Sequence, residues 1–440
     1  MLDMKIRFLI LSILFVGTVS EVIAQEKRIL TLEECKGMAL KNNVDMQTGR
    51  IDVAAAKQTQ KDAFTKYFPK ITAGAVSYKA DDNLIEGVIP PIPSLGLETP
   101  MEVGVLEEGN LITASAIQPI FAGGQIVNSN KLAKTALEAS RLQLNMTADK
   151  VELETETYFW KIVSLKEAEK TLAILDTLLQ NLHKDVSLAV KTGITTHNDL
   201  LTVQLKQNEL QSTRLQLENG MQLSKMALCQ YIGIPLDSAS YIDVPEIDVE
   251  IKNPAEYLVD HQSMLPSLSA YKLLGKNVEV HELKRKIVLG QQLPTVGVGV
   301  TYAYEDWMFD RSRNHFVMMA TLSVPISDWW GGSHKFKRSK LEEKKALQQQ
   351  QDGGEKLQLK MQQSWNLLTE SYKQIILAES AVNESEENLR MQTNNYHSGI
   401  CSLSELLDAQ GLYQKSRNRY TDACINYKIK VTQYQKDTGQ

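Results

Sequence analysis

The stretch Lys191-Thr192-Gly193-Ile194-Thr195-Thr196-His197-Asn198-Asp199-Leu200-Leu201-Thr202-Val203-Gln204 decides how the chain is read, because it returns 206 positions later. The second version is His397-Ser398-Gly399-Ile400-Cys401-Ser402-Leu403-Ser404-Glu405-Leu406-Leu407-Asp408-Ala409-Gln410. The same spacing of 206 links Pro119 to Pro325. Self-similarity at a fixed long interval marks two copies of one structural unit. Between Gly124 and Gly193 lie 68 residues with neither Gly nor Pro. At ~1.5 Å per residue, a helix of that length runs on the order of 100 Å. Leu165, Ala168, Leu172, Leu175, Leu179 and Leu182 give it a coiled-coil seam of alternating three and four. Beyond each glycine a second long helix is expected, over 197–232 and 402–438. Gly193 and Gly399 then read as hairpin tips that need positive φ. Asn198, Ser402 and Ser404 are the candidates to cap the returning helices.

Composition excludes several classes of function. A formal charge of −5 over 440 residues argues against a nucleic-acid partner. The four cysteines are far apart and the seven histidines scattered, so neither a metal site, a cofactor site nor a disulfide framework is expected. No nucleophile–base pattern or phosphate loop sits in a suitable context, and no enzymatic activity is expected. At the N-terminus, Met4-Lys5-Ile6-Arg7, the apolar run from Phe8 to Val16 and Val22-Ile23-Ala24 read as an export signal cleaved after Ala24.

Each copy carries two strand candidates ahead of its long helix. In 294–305, Val296, Val298, Val300, Tyr302 and Tyr304 alternate with small residues; in 315–325, Phe316, Met318, Ala320, Leu322 and Val324 share one face. The counterparts in the first copy are 69–79 and 111–120, with weaker alternation. These lengths suit membrane strands. Tyr67, Phe68, Phe121, Trp329 and Trp330 near one set of ends, and Trp307 at the other, suit the two interfacial belts. A soluble two-faced sheet is the competing explanation of the alternation. Four strands cannot close a barrel, and an open edge in lipid leaves backbone groups unpaired at several kcal/mol each. Insertion therefore requires several chains to pool their strands.

The order helix, strand, strand, very long helix, Gly-tipped hairpin, helix, given twice, resembles the TolC family of outer-membrane efflux proteins. The resemblance spans nearly the whole mature chain. It rests on Leu30-Thr31-Leu32-Glu33-Glu34-Cys35 through Asn43, on Pro119-Ile120-Phe121-Ala122-Gly123-Gly124, on Pro325 through Gly332, and on the two tips. It implies a mainly α fold with a membrane β-barrel: a homotrimer in which three chains give four strands each to a 12-stranded barrel that continues into a periplasmic helical barrel. The chain divides accordingly into a signal (1–24), a first repeat (25–235), a linker (236–253) and a second repeat (254–440). Residues 80–110 and 306–314 become extracellular loops, the first acidic and exposed. The Gly353-Gly354 pair is expected to kink or unwind the second long helix.

The family also implies a function. Its members conduct substrates out through the outer membrane, in efflux or type I secretion, with a periplasmic adaptor and an inner-membrane transporter of the RND, ABC or MFS type as partners. Glu405 and Asp408, six and nine residues after the tip glycine, match acidic positions that narrow the periplasmic entrance, and Tyr396 matches an aromatic that helps hold it closed. Stacked in rings, such carboxylates favour cations and raise one another's pKa values. Where some members carry a basic residue two after the glycine, this chain has Cys401. Gly193, Ile194, Gly399 and Ile400 match the surface met by the adaptor. The first copy has Thr202 where the second has Asp408, so the second holds the better gate candidate. The alternative function is a periplasmic coiled-coil tether that never enters lipid.

Overall fold

The computed structural model describes residues 28–82, 85–95, 98–105, 108–245, 251–306 and 312–440. The cleavage site at Ala24, Trp307 and part of the linker lie outside the described residues. The elements run, in order, β1 (Arg28–Ile29), α1 (Leu32–Asn42), α2 (Val44–Thr65), β2 (Lys70–Lys79), β3 (Ile85–Ile89), β4 (Met101–Val105), β5 (Glu108–Ala122), α3 (Gln125–Lys191), α4 (His197–Ile232), β6 (Ile242–Asp243), α5 (Ser269–Gly290), β7 (Thr295–Glu305), β8 (Arg313–Ser323), α6 (Asp328–His397) and α7 (Leu403–Thr438). The duplication is exact in two pairs: α2 and α5 have 22 residues each, α4 and α7 have 36 each. The long helices have 67 and 70 residues.

Two compact units result. One comprises Val44–Lys150, Pro254–Leu368 and Val431–Gln440, and holds the main sheet; the other comprises Val151–Asn253 and Thr369–Lys430 with the start of the chain, and holds both tips.

In the first unit the sheet has the order β2-β5-β7-β8, every neighbour antiparallel. Its central pair joins one repeat to the other. Register decides the chemistry of its faces. Ile71 lies opposite Ala116, Ala116 opposite Val300, and Val300 opposite Met318. Side chains alternate between faces along a strand. One face therefore gathers Ile71, Ala73, Ala75, Ile112, Ala114, Val298, Val300, Tyr302, Phe316, Met318 and Leu322, without a charge. The other mixes Thr72, Gly74, Thr113, Ser115, Gly299, Thr301 and Thr321 with Val76, Ile117, Val317 and Met319, and Ser115 and Thr301 are hydrogen-bonded at 3.0 Å. Apart from Lys70 at the helix end, charge lies at the loop end, where Lys79 pairs with Glu108 at 2.9 Å and His315 meets Glu305 at 2.5 Å. Aromatics mark the helix end: Phe64, Tyr67, Phe68, Phe121, Trp329 and Trp330 are exposed.

Three expectations shift. β8 begins at Arg313 and stops at Ser323, because Pro325 has no N–H to give and restricts the residue before it. The stretch 80–110 is not all loop: β3 pairs with β4 as a further hairpin, and β5 reaches back to Glu108. Its Pro-rich, acidic composition hid the alternation of Ile85, Gly87 and Ile89 with Glu86 and Val88.

The third correction concerns α6, which runs unbroken through Gly353-Gly354. A Cβ on Gly353 would lie 2.4 Å from Leu274 Cδ1, and one on Gly354 3.3 Å from Tyr271 of α5. The helix does not unwind at these glycines, which admit the neighbouring helix. Arg285 of α5 and Glu343 of α6 close the same contact at 2.5 Å. Where strands give way to helices, Gly123 (φ 58°) crosses Gly290: a Cβ on Gly123 would sit 2.1 Å from the Gly290 carbonyl oxygen. No side chain fits there.

In the second unit Arg28–Ile29 pairs in parallel with Ile242–Asp243, and Lys166 binds Asp243 at 3.2 Å and the Val244 carbonyl at 2.7 Å. Leu172, Leu175, Leu179 and Leu182 are buried as their spacing predicts, and Val186 extends the seam. Within this unit the buried positions of α6 are Ser371, Ile375, Ala378, Val382 and Ser385. That is an unbroken three-four seam with a small residue at every second position, which lets helices approach closely.

Candidate channel entrance

The two tips are built alike, atom for atom. In the first, the Gly193 N–H donates to the Val190 carbonyl at 3.1 Å and the Ile194 N–H to Ala189 at 2.8 Å. In the second, the Gly399 N–H donates to Tyr396 at 3.0 Å and the Ile400 N–H to Asn395 at 2.8 Å. The glycines have φ of 75° and 72°, a conformation that a side chain strains. Open space surrounds the position of each missing Cβ. Beside them Ile194 and Ile400 are 81% and 75% exposed.

Each returning helix starts with a capping box. Thr196 caps α4: its side chain accepts from the Asp199 N–H, while the Asp199 carboxylate accepts from the Thr196 N–H at 3.2 Å and from the Thr195 hydroxyl. At the equivalent positions Ser402 accepts from the Glu405 N–H at 3.3 Å, and Glu405 accepts from the Ser402 N–H at 2.7 Å and hydroxyl at 2.9 Å. This satisfies amides that a helix start leaves without partners. Of the three cap candidates only Ser402 has that role. The T-x-x-D and S-x-x-E patterns were the available signal for both boxes.

The boxes change the reading of Glu405. Within one chain the Ser402 backbone and hydroxyl hydrogen bonds hold its carboxyl below the ordinary value, opposite to the rise expected from ring repulsion. Asp199 is lowered in the same way, chiefly by the Thr195 hydroxyl. Asp408 lies outside the box, on the exposed strip that it shares with Glu405 and Leu412. Its counterpart Thr202 bonds back to the Asn198 carbonyl at 2.9 Å, as a helix-satisfied hydroxyl.

Behind the tips Leu179, Leu182, Val186, Val203, Leu403, Leu406 and Leu407 form one buried cluster, with Tyr396 half-buried against it. The cluster joins both hairpins in one core. Burial, with Asp199 and Asp185 nearby, pushes the Tyr396 phenol up. Cys401 donates its thiol toward the Gln392 carbonyl at 3.4 Å, and burial raises its pKa. The structure thus places Tyr396 inside the tip core, Glu405 at its edge as a cap, and Asp408 on an open face. Among the described residues, no cluster of His, Cys, Asp or Glu could hold a metal. No described helix is long and apolar enough to cross a membrane.

Residues 278–439, covering β7, β8 and the second hairpin, match the family described as outer membrane efflux protein. Over these residues the chain is similar to that family. Its fold is that of solved outer-membrane channels. The outer-membrane channel OprN superposes with a TM-score of 0.78 at 12% identity, over 93% of this chain and 89% of its own. The Campylobacter jejuni channel CmeC gives 0.77 at 14% identity, over 93% and 85%. VceC of Vibrio cholerae gives 0.76 at 13% identity, over 93% and 96%. Comparison with curated proteins finds no match.

Proposed function

We propose that this chain is an outer-membrane efflux channel and forms a homotrimeric exit duct, three chains pooling four strands each around one pore. One observation carries the reading: the sheet has an apolar face that carries charge only at its loop end, and two edges, β2 and β8, that run in opposite directions. The β8 edge of one copy can therefore add to the β2 edge of the next with the same antiparallel pairing. An 11-residue strand such as β7 is about 36 Å long at ~3.3 Å per residue. Tilted by ~40°, it spans the ~25 Å apolar band of an outer-membrane barrel.

The tips are the periplasmic entrance in this reading. Ile194 and Ile400, exposed beside glycines with open surroundings, suit the approach of an adaptor, which connects the duct to an inner-membrane transporter of the RND, ABC or MFS type. Asp408 is the principal gate residue, because Glu405 is already engaged as a cap, while Tyr396 stiffens the tip from within. The test is purification from the outer-membrane fraction in detergent, followed by single-channel recording. A heat-modifiable trimer with cation-selective conductance is expected, and Asp408→Ala should reduce that selectivity more than Glu405→Ala. Release of the protein by alkali without detergent would instead support the periplasmic tether.

A further inference from the structure

The helix end of the sheet carries a groove that the channel reading does not use. It lies within the sheet-bearing unit, between the last turns of α2 and the first of α3, and has a volume of about 500 Å³. Phe64, Tyr67 and Val127 form its apolar part, and Lys61, Lys131 and Lys134 its charged part, with no carboxylate in the lining. Phe64 stacks edge-to-face on both Tyr67 and Phe68, with centroids 5.6 Å apart in each pair. All three rings are exposed. They sit where the chain enters β2, at the end of the apolar face.

We propose that this groove binds a phospholipid with an anionic headgroup, drawn from the inner leaflet of the outer membrane; the inference rests on the barrel reading above. The position supplies the depth. β2 and β5 end at Lys70 and Ala122 on this side, and Lys131 follows Val127 by one helical turn, about 6 Å further from the sheet. An acyl chain laid on the aromatic cluster continues the apolar face, and its phosphate then falls at the lysines. Aromatic rings with an apolar body and, in tyrosine, a polar tip favour that level. Clustered lysines beside a membrane segment attract anionic lipid.

A second copy of the chain is the other available occupant, and charge disfavours it. In the closed ring the β8 edge of the neighbour lies beside β2, and the early turns of its α6 carry Lys335, Lys337, Arg338 and Lys340, all exposed, ahead of Glu342 and of Glu343, which pairs with Arg285. Packing that segment directly on Lys61, Lys131 and Lys134 would bring like charges together. An anion between them removes the repulsion.

The intact trimer, purified in mild detergent, should be exposed to phosphatidylglycerol or phosphatidylcholine and examined by native mass spectrometry. About one phosphatidylglycerol per chain should be retained, against little phosphatidylcholine. The triple variant Lys61→Gln/Lys131→Gln/Lys134→Gln should lose phosphatidylglycerol affinity by on the order of tenfold to a hundredfold. The variant Lys184→Gln/Lys191→Gln, on the α3 segment near the tip, should retain it. Equal retention of both lipids, or unchanged binding in the triple variant, would overturn the inference, as would amine crosslinks from Lys131 to a neighbouring chain in lipid-free protein. Conductance of the same preparation separates the two readings: a conducting trimer without bound lipid removes the lipid site alone, whereas a protein that never inserts removes both.

Discussion

Glu405 serves two needs that pull in different directions. As an acid six residues past a tip glycine it invites a reading as gate, yet its carboxylate is turned back onto Ser402. Asp199 is turned back onto Thr196 in the same way, which shows that the turn-back belongs to the hairpin design rather than to one copy. Ser402→Ala removes one side of the box and should cost about 1 kcal/mol, typical of a lost N-cap. Amide exchange at Leu403 to Glu405 should quicken while the middle of α7 stays protected. The pH dependence follows from the sign of the shift. A carboxyl lowered in the folded state contributes above its unfolded value, near 4.5, and that contribution disappears as pH falls through the lower folded value. The tip should therefore loosen below about pH 4.5, and Glu405→Gln should remove that acid-side change from exchange profiles.

At the scale of elements, glycine pairs do opposite jobs in different settings. Gly353-Gly354 sits in a helix that stays whole, because the adjoining α5 fills the space their side chains would take. Gly123 combines a positive φ with backbone contact at Gly290. Gly123→Ala should thus destabilise by at least about 3 kcal/mol, from conformational strain and overlap together, and lower the yield of folded protein. Gly353→Ala meets only the end of the Leu274 side chain and gains helix propensity, so its change in melting temperature should be much smaller. This contrast shows what the sequence made legible. Long helices, tip turns and strands followed from glycine spacing and alternation, which are local. The helix that admits a neighbour at Gly353 was not legible, since the same glycines mark a break or a close contact depending on what lies across from them. Ser402 was legible as a cap, but its hold on Glu405 was obscured by the attention that an acid near a pore attracts.

For the whole molecule, register converts two short patterns into one apolar face. The alternation in β7 and that in β8 were readable separately, and pairing Val300 with Met318 sets them on the same side. The weaker strands of the first copy join that face through Ala116 opposite both Ile71 and Val300. A charge at Met318 should cost about 2–4 kcal/mol if the residue faces the bilayer midplane. Met318→Lys should therefore abolish the heat-modifiable oligomer on a gel. Thr301→Lys, on the opposite face, should assemble and alter conductance instead.

The two edges of the sheet have a genetic consequence. In the proposed ring of three, β2 and β8 are different surfaces, so each joint is heterologous and every copy must supply one good edge to each neighbour. A chain damaged at β8 alone can still occupy a place through β2. In a cell making intact and damaged chains equally, only about one ring of three in eight would be free of damage. An edge lesion in this protein should behave as a dominant poison, whereas complete loss of the chain from one of two gene copies would merely halve the supply.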